Sequence, residues 1–227
     1  MKSILKRNGA RVALVIGNGV NRYGGSGSNS WQALLEQLAL RYLESGMCKV
    51  PSRVPLTEYF DLLEIMSREP LQSSQLQGEF CALMDSWEAH DHHRRIVAWA
   101  IQHDAPILTT NFDSVLSDAG GCSLGRVKKP GFTDFYPWES CYSNQPVHSP
   151  ATQFGIWHIN GMKHYRRSIR LGLTHYMGSV ERARRWLHNG SGSLSAGMNM
   201  ATWPGAGSWL QVVFSAPLLI FGLGLEE

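Results

Sequence analysis

The chain has 227 residues, 43% hydrophobic and 17% charged, with a formal net charge of +3. That is enough length for one sizeable core, a charge too small to argue for nucleic acid by itself, and no apolar run near the roughly 20 residues of a membrane span. The four cysteines, Cys48, Cys81, Cys122 and Cys141, form no CxxC pair, which argues against a zinc ribbon and suits packing in a reducing cytoplasm.

The N-terminal MKSILKRNGARVALVIG has a basic start, but its apolar run is only about half a dozen residues and Arg11 interrupts it. A signal core needs ~7–15, so export is rejected and a cytoplasmic location expected. Val12 to Ile16 reads as a strand buried on both faces, followed at once by Gly17-Asn18-Gly19. Such a turn lets the backbone approach a ligand closely. Gly24 to Ser28 is a flexible loop. Trp31, Leu34, Leu35, Leu38 and Tyr42 then mark a helix, with Asn29 and Gln32 as a capping box, Ser30 as another cap, and Gly46 as the stop. Two more helical patterns follow without a strand. The first runs from Thr57 through Phe60, Leu63 and Met66 to Pro70, the second from Leu76 through Phe80, Leu83 and Met84 to Trp87. Residues 29–90 therefore read as a helical insertion after the first strand.

His90-Asp91-His92-His93 invites a metal reading, but no second ligand cluster accompanies it, and Asp91 suits the N-cap of a helix through Ile96, Val97, Ala100 and Ile101. No metal is expected. Pro106 to Thr110 is the second core strand, ending in Asn111-Phe112-Asp113. Residues 120–150 lack periodicity and read as a long surface loop. Phe154 to Trp157 is a third strand, ending in His158-Ile159-Asn160-Gly161, and Ser168 to Leu173 a fourth candidate. Thr174 caps a helix with Tyr176, Val180, Ala183 and Leu187 inward. Lys163, Arg166, Arg167, Arg170, Arg182, Arg184 and Arg185 form a basic stretch, by default a solvated or partner-facing surface. Without interleaved aromatics it argues against direct nucleic-acid binding. Residues 189–208 are rich in Gly and Ser and read as flexible, and Trp209 to Phe214 as a short helix. Pro217 to Phe221 is the last buried strand, closed by Gly222-Leu223-Gly224-Leu225. A helix normally covers such a strand, so truncation near Glu227 or a covering partner is expected.

The fold class is thus α/β: a Rossmann-like, mostly parallel sheet flanked by helices. In such sheets ligands sit outside the carboxyl ends of the strands. Those ends carry GNG, TTNFD, WHING and FGLG. GNG lacks the third glycine of GxGxxG, since Arg22 stands there, and no acidic residue is placed to hold an adenosine ribose. A hydride-transfer reading loses its support.

Taken together, Gly17-Asn18-Gly19-Val20-Asn21, Thr110-Asn111-Phe112-Asp113, His158 and Gly222-Leu223-Gly224-Leu225 resemble the motifs of the sirtuin superfamily, specifically the sirtuin-like NADase domains of bacterial anti-phage defence. The order matches over nearly the whole chain, implying one NAD-binding domain over 1–227. Asn18 and Asn21 replace the usual Ala and Ser, and His158 is separated from Gly161 where the family pairs His with Gly. No cysteines are placed to build the zinc module of the deacylating members. The resemblance implies an NAD+ hydrolase that releases nicotinamide and ADP-ribose and depletes NAD on infection, with NAD as substrate rather than cofactor. It also implies control by homo-oligomerisation or by a partner defence protein such as an ATPase, nuclease or Argonaute-like protein. The alternatives are an NAD-dependent protein deacylase and a catalytically silent nucleotide-binding or assembly subunit.

Cleaving the nicotinamide–ribose bond needs an oriented ribose and a stabilised oxocarbenium-like transition state. Asn111 suits the ribose hydroxyls or a water, and His158 a general base. Asp113 suits either the nicotinamide-ribose region or the cap of the next helix. Gly17, Gly19 and neighbouring amides, with Asn18 and Asn21, suit the pyrophosphate, and Arg22 can pair with it. Thr110 lies beside the catalytic pair. Gly222, Gly224 and Leu225 are implied by the resemblance to lie near the adenosine half. His175 is a fallback base.

Overall fold

The computed structural model describes residues 12–23, 29–127, 136–188, 193–197, 199–200 and 202–224. The expected loop at Gly24–Ser28 and the site residue Leu225 lie outside these described residues.

A six-stranded sheet forms the centre, with strands β1 (Ala13–Ile16), β2 (Ile107–Thr109), β3 (Ser123–Arg126), β4 (Ser140–Ser143), β5 (Ile156–His158) and β6 (Leu218–Phe221) in the order β3-β4-β5-β2-β1-β6. β5, β2, β1 and β6 run parallel, with Leu14 level with Ile107, Thr109 with His158, and Ile16 with Phe221. β3 and β4 extend the sheet antiparallel. Between β1 and β2 stand α1 (Gly19–Arg22), α2 (Trp31–Tyr42), α3 (Leu56–Ile65), α4 (Gln75–Leu83) and α5 (Asp91–Gln102). The others are α6 (Val115–Ala119), α7 (Leu173–His188) and α8 (Trp209–Ser215), with a 3-10 turn at Lys163–Ser168. This is the expected Rossmann-like α/β architecture. No described helix is long and apolar enough to cross a membrane.

The strands alternate apolar side chains to two faces because successive residues of a strand point opposite ways. Leu14, Ile16, Ile107 and Ile156 pack against Val97 and Ala100 of α5 and Leu116 of α6. Ala13, Val15, Leu108 and Trp157 pack against Val212 of α8 on the other face. The helices α2, α3 and α4 build a separate cluster from Leu34, Leu38, Phe60, Leu63 and Phe80. It reaches the sheet through Phe112, just past β2: Trp31 stacks on that ring at 4.7 Å and Phe80 meets it edge-on at 5.9 Å. The long helical segment thereby covers the carboxyl end of the central strands.

Local caps follow residue chemistry. Ser30 accepts from the Ala33 N–H at 3.1 Å and starts α2, while Asn29 stays outside the helix. α3 starts at Leu56 after Pro55, one residue before the expected Thr57 cap, and ends at Ile65. α5 is capped by His90 rather than Asp91, with His93 Nδ1 accepting the His90 N–H at 3.0 Å. The four cysteines are free thiols.

Five expectations need correction. Residues 120–150 contain the β3–β4 pair. Ser168–Leu173 is no strand: its first residue closes the 3-10 turn, and Arg170 N–H bonds to the Asn160 carbonyl at 3.0 Å instead of to the sheet. β6 is an edge strand with Leu218 and Ile220 exposed, because α8 lies over the β1–β2 part of that face. On α7, Val180 is exposed while Ala183, Trp186 and Leu187 pack against a cluster of Trp138, Trp203, Ala206 and Leu210. That cluster also buries residues expected to be part of a flexible Gly/Ser tract.

Candidate active site

The parallel strands bring the expected residues to one edge, but in three groups. The first joins the ends of β5 and β2. His158 ends β5, fully buried, with Nδ1 2.7 Å from the Asn111 carbonyl oxygen. A carbonyl only accepts, so Nδ1 carries the proton and Nε2 presents a lone pair. Nε2 has no hydrogen-bond partner among the described residues. Burial lowers the His158 pKa to about 4, opposed only by the Asn111 carbonyl, so the ring is neutral at physiological pH.

Asn111 follows β2. Its N–H is held by Thr109 Oγ1 at 3.1 Å, and Thr109 in turn donates to the Ile16 carbonyl at 2.9 Å. The Asn111 side chain is 1% exposed, yet neither its amide nitrogen nor its oxygen has a partner among the described residues. Two unpaired ends on one buried amide are costly.

Asp113 is buried and divided between two tasks. One oxygen accepts the Val115 N–H at 2.9 Å at the start of α6, and the other accepts from Asn21 Nδ2 at 2.8 Å. Asn21 also donates to Asn18 Oδ1 at 2.9 Å, and Asn18 donates to the Asn29 carbonyl at 2.9 Å. Burial raises the Asp113 pKa, against the lowering by those two donors. Asn18 and Asn21 thus tie the β1 turn to the β2 end. A cavity of about 330 Å³ opens here, lined by Asp113, Ser114, Tyr142, His158, Lys163 and Arg166 among others. Tyr142 meets the His158 ring edge-on at 5.7 Å.

The second group is the glycine turn. Gly17 N–H bonds to the Phe221 carbonyl at 3.1 Å and Gly19 N–H to the Gly222 carbonyl at 2.7 Å. A Cβ at Gly17 would lie 2.5 Å from the Gly222 oxygen, and one at Gly19 2.8 Å from it. These glycines let the β1 and β6 turns interlock, and their amides are not free for a phosphate. Gly222 serves the same contact with φ +70°. Arg22 stands exposed in the last turn of α1.

The third group lines a larger cleft of about 560 Å³. Thr110 and Gly224 are there, joined by Trp31, Asn160, Arg170 and Tyr176 among others. Its size falls in the range of small-molecule sites, ~300–1,000 Å³. Sequence reasoning placed Arg170 in a solvated basic stretch, and Arg166, Arg167, Arg184 and Arg185 do stand exposed. Arg170 is 3% exposed. The available signal was its setting between Ile169 and Leu171, both buried.

The path from His158 to Arg170 turns at Gly161, whose φ of +104° and 2.2 Å approach of a hypothetical Cβ to the Ser168 oxygen require glycine. His175 is not a free base: its Nδ1 faces the N–H groups of Leu171 and Gly172, both at 3.2 Å, and its Nε2 faces Gln77 at 3.3 Å. His92 Nε2 bonds to the Val20 carbonyl at 2.8 Å, and no group of three or more metal-ligating side chains converges among the described residues.

The buried histidines set an acid limit on stability. His93 is held at about 4, like His158, by burial, with the neighbouring His92 and His90 adding to it. Between pH 6.5 and 4 the unfolded chain takes up these protons and the folded chain does not. The stabilisation is complete above 6.5 and is lost as pH falls towards 4. For His158 this amounts to about 3 kcal/mol by pH 4. Urea midpoints at pH 7 and pH 5 should separate more in the wild type than in His158→Gln, which keeps a donor for Asn111 but cannot titrate. Equal separations would place the His158 pKa elsewhere.

No family model, curated protein or solved structure matches this chain. The fold and site define an α/β chain with a polar constellation at the carboxyl edge of a parallel sheet.

Proposed function

We propose that this chain is an NAD+ hydrolase that cleaves the nicotinamide–ribose bond: NAD+ and water give nicotinamide, ADP-ribose and a proton. The observation that carries the reading is the His158–Asn111 pair: a neutral imidazole whose Nε2 has no partner among the described residues, joined to a residue whose buried amide has none there at either end. Nε2 accepts the proton of a ribose hydroxyl or of the attacking water. The Asn111 amide donates to and accepts from the ribose, fixing the sugar as positive charge develops. The leaving group departs as neutral nicotinamide and needs no strong acid. Asp113, held by Asn21 and the α6 amide, is a positioning residue at the edge of the same cavity. The resemblance to sirtuin-like defence domains supports the same chemistry and extends the proposal to NAD depletion under control of self-assembly or a partner.

A second reading, a nucleotide-binding subunit without turnover, is favoured by one feature: the amides of Gly17 and Gly19 are engaged by β6. Incubating the purified chain with NAD+ and following nicotinamide release, alongside calorimetry with NAD+, separates the two. Release at a steady rate is expected. Saturable binding without release would favour the second reading, and neither binding nor release would remove both.

A further inference from the structure

We propose that the larger cleft is an anion subsite in which Arg170 binds the phosphate groups of a nucleotide ligand. The guanidinium is a buried cation with no counter-charge among the described residues. Its one hydrogen bond among the described residues is a long one, to the Ile159 carbonyl at 3.4 Å, and Nε has none. No carboxylate among the described residues forms an ion pair with it. Its remaining contact is the face of Tyr136, 4.5 Å from the ring centroid. Burial lowers its pKa to about 10, against the raising influence of Tyr136 and Tyr176, so it is still charged at neutral pH.

Burying a cation without a counter-charge costs several kcal/mol, a cost that an anion entering the cleft would offset. The backbone holds it there on two sides: Arg170 N–H to the Asn160 carbonyl at 3.0 Å, and Tyr176 O–H to the Arg170 carbonyl at 3.3 Å. A guanidinium fork matches two phosphate oxygens at once. Thr110 and Asn160 add polar groups, and Trp31 and Leu223 give apolar walls suited to a base or sugar face. The glycine turn cannot serve as the phosphate cradle because its amides are engaged. The cation two residues beyond Ser168 takes that place. That the anion is the diphosphate of a dinucleotide rests on the hydrolase reading; that it is a phosphate anion does not.

The test is calorimetry with inorganic pyrophosphate and with ADP-ribose on the wild type, Arg170→Lys and Arg170→Met. Both ligands are expected to bind the wild type, with affinity falling as salt rises. Arg170→Met should weaken each at least about tenfold, and Arg170→Lys less. Should the methionine variant not fold, the pyrophosphate-induced rise in Tm of the wild type and of the lysine variant gives the same comparison. Failure of the wild type to bind either ligand, or unchanged affinity in the variants, overturns the proposal. Arg170-dependent binding of pyrophosphate without NAD+ turnover would sink the hydrolase reading and leave this one standing. NAD+ turnover with ADP-ribose binding indifferent to Arg170 would do the reverse.

Discussion

Replacing His158 by alanine is expected to cut nicotinamide release by about 10²–10⁴-fold, the usual contribution of a positioned general base. His158 lines the smaller cavity, its Nδ1 is locked to a carbonyl, and its Nε2 has no partner among the described residues. Because alanine also leaves the Asn111 carbonyl without its donor, His158→Gln is the companion variant. Glutamine can donate to that carbonyl but cannot take up a proton, so turnover should fall comparably while the fold survives. The wild-type rate has a further signature. With the His158 pKa near 4, the acid limb of the pH–rate profile should lie well below the 6.5 of an ordinary histidine. Turnover unaffected in His158→Gln would take His158 out of the chemistry. An acid limb at 6.5 would instead point to an exposed histidine or to a pKa raised by bound substrate.

The sequence carried much of this site because parallel α/β sheets put function at a definable edge. Val12–Ile16, Pro106–Thr110 and Phe154–Trp157 read as strands, and the polar residues that end or follow them had to lie together. His158 and Asn111 do so. What was hidden depended on partners distant in sequence. Gly17 and Gly19 read as a phosphate cradle because nothing local reveals that the Gly222 turn presses against them. β3 and β4, SLGR and SCYS, carry no apolar run: β3 is a half-exposed edge strand, and β4, though mostly buried, is built of serines around Cys141 and Tyr142. Ile169-Arg170-Leu171 mimicked strand alternation, but its backbone bonds to Asn160 and its arginine is the buried residue of the basic stretch. An apolar–polar–apolar pattern fixes neither the burial of the polar residue nor whether the backbone joins a ladder.

Asn111→Leu is expected to abolish most turnover and to stabilise the fold at the same time. Leucine keeps the branching of asparagine but replaces its polar ends with methyl groups. In the wild type both ends are buried and have no partner among the described residues, a cost of about 1–3 kcal/mol for each such group. Removing it should raise the unfolding free energy by on the order of 1 kcal/mol, after some loss to imperfect packing. The backbone N–H and carbonyl that hold Thr109 and His158 are untouched, so the His158 imidazole stays in place. Turnover should nevertheless drop about 10²-fold or more, because the ribose loses the group that orients it. The two readouts moving in opposite directions distinguish a functional amide from a structural one. If urea denaturation showed Asn111→Leu destabilised by 2 kcal/mol or more, the amide would be part of the core's own hydrogen bonding. The energetic case for a ribose contact would then be lost. A stabilised variant with full activity would equally remove Asn111 from the site, leaving His158 to act with Asp113 and the lining of its cavity.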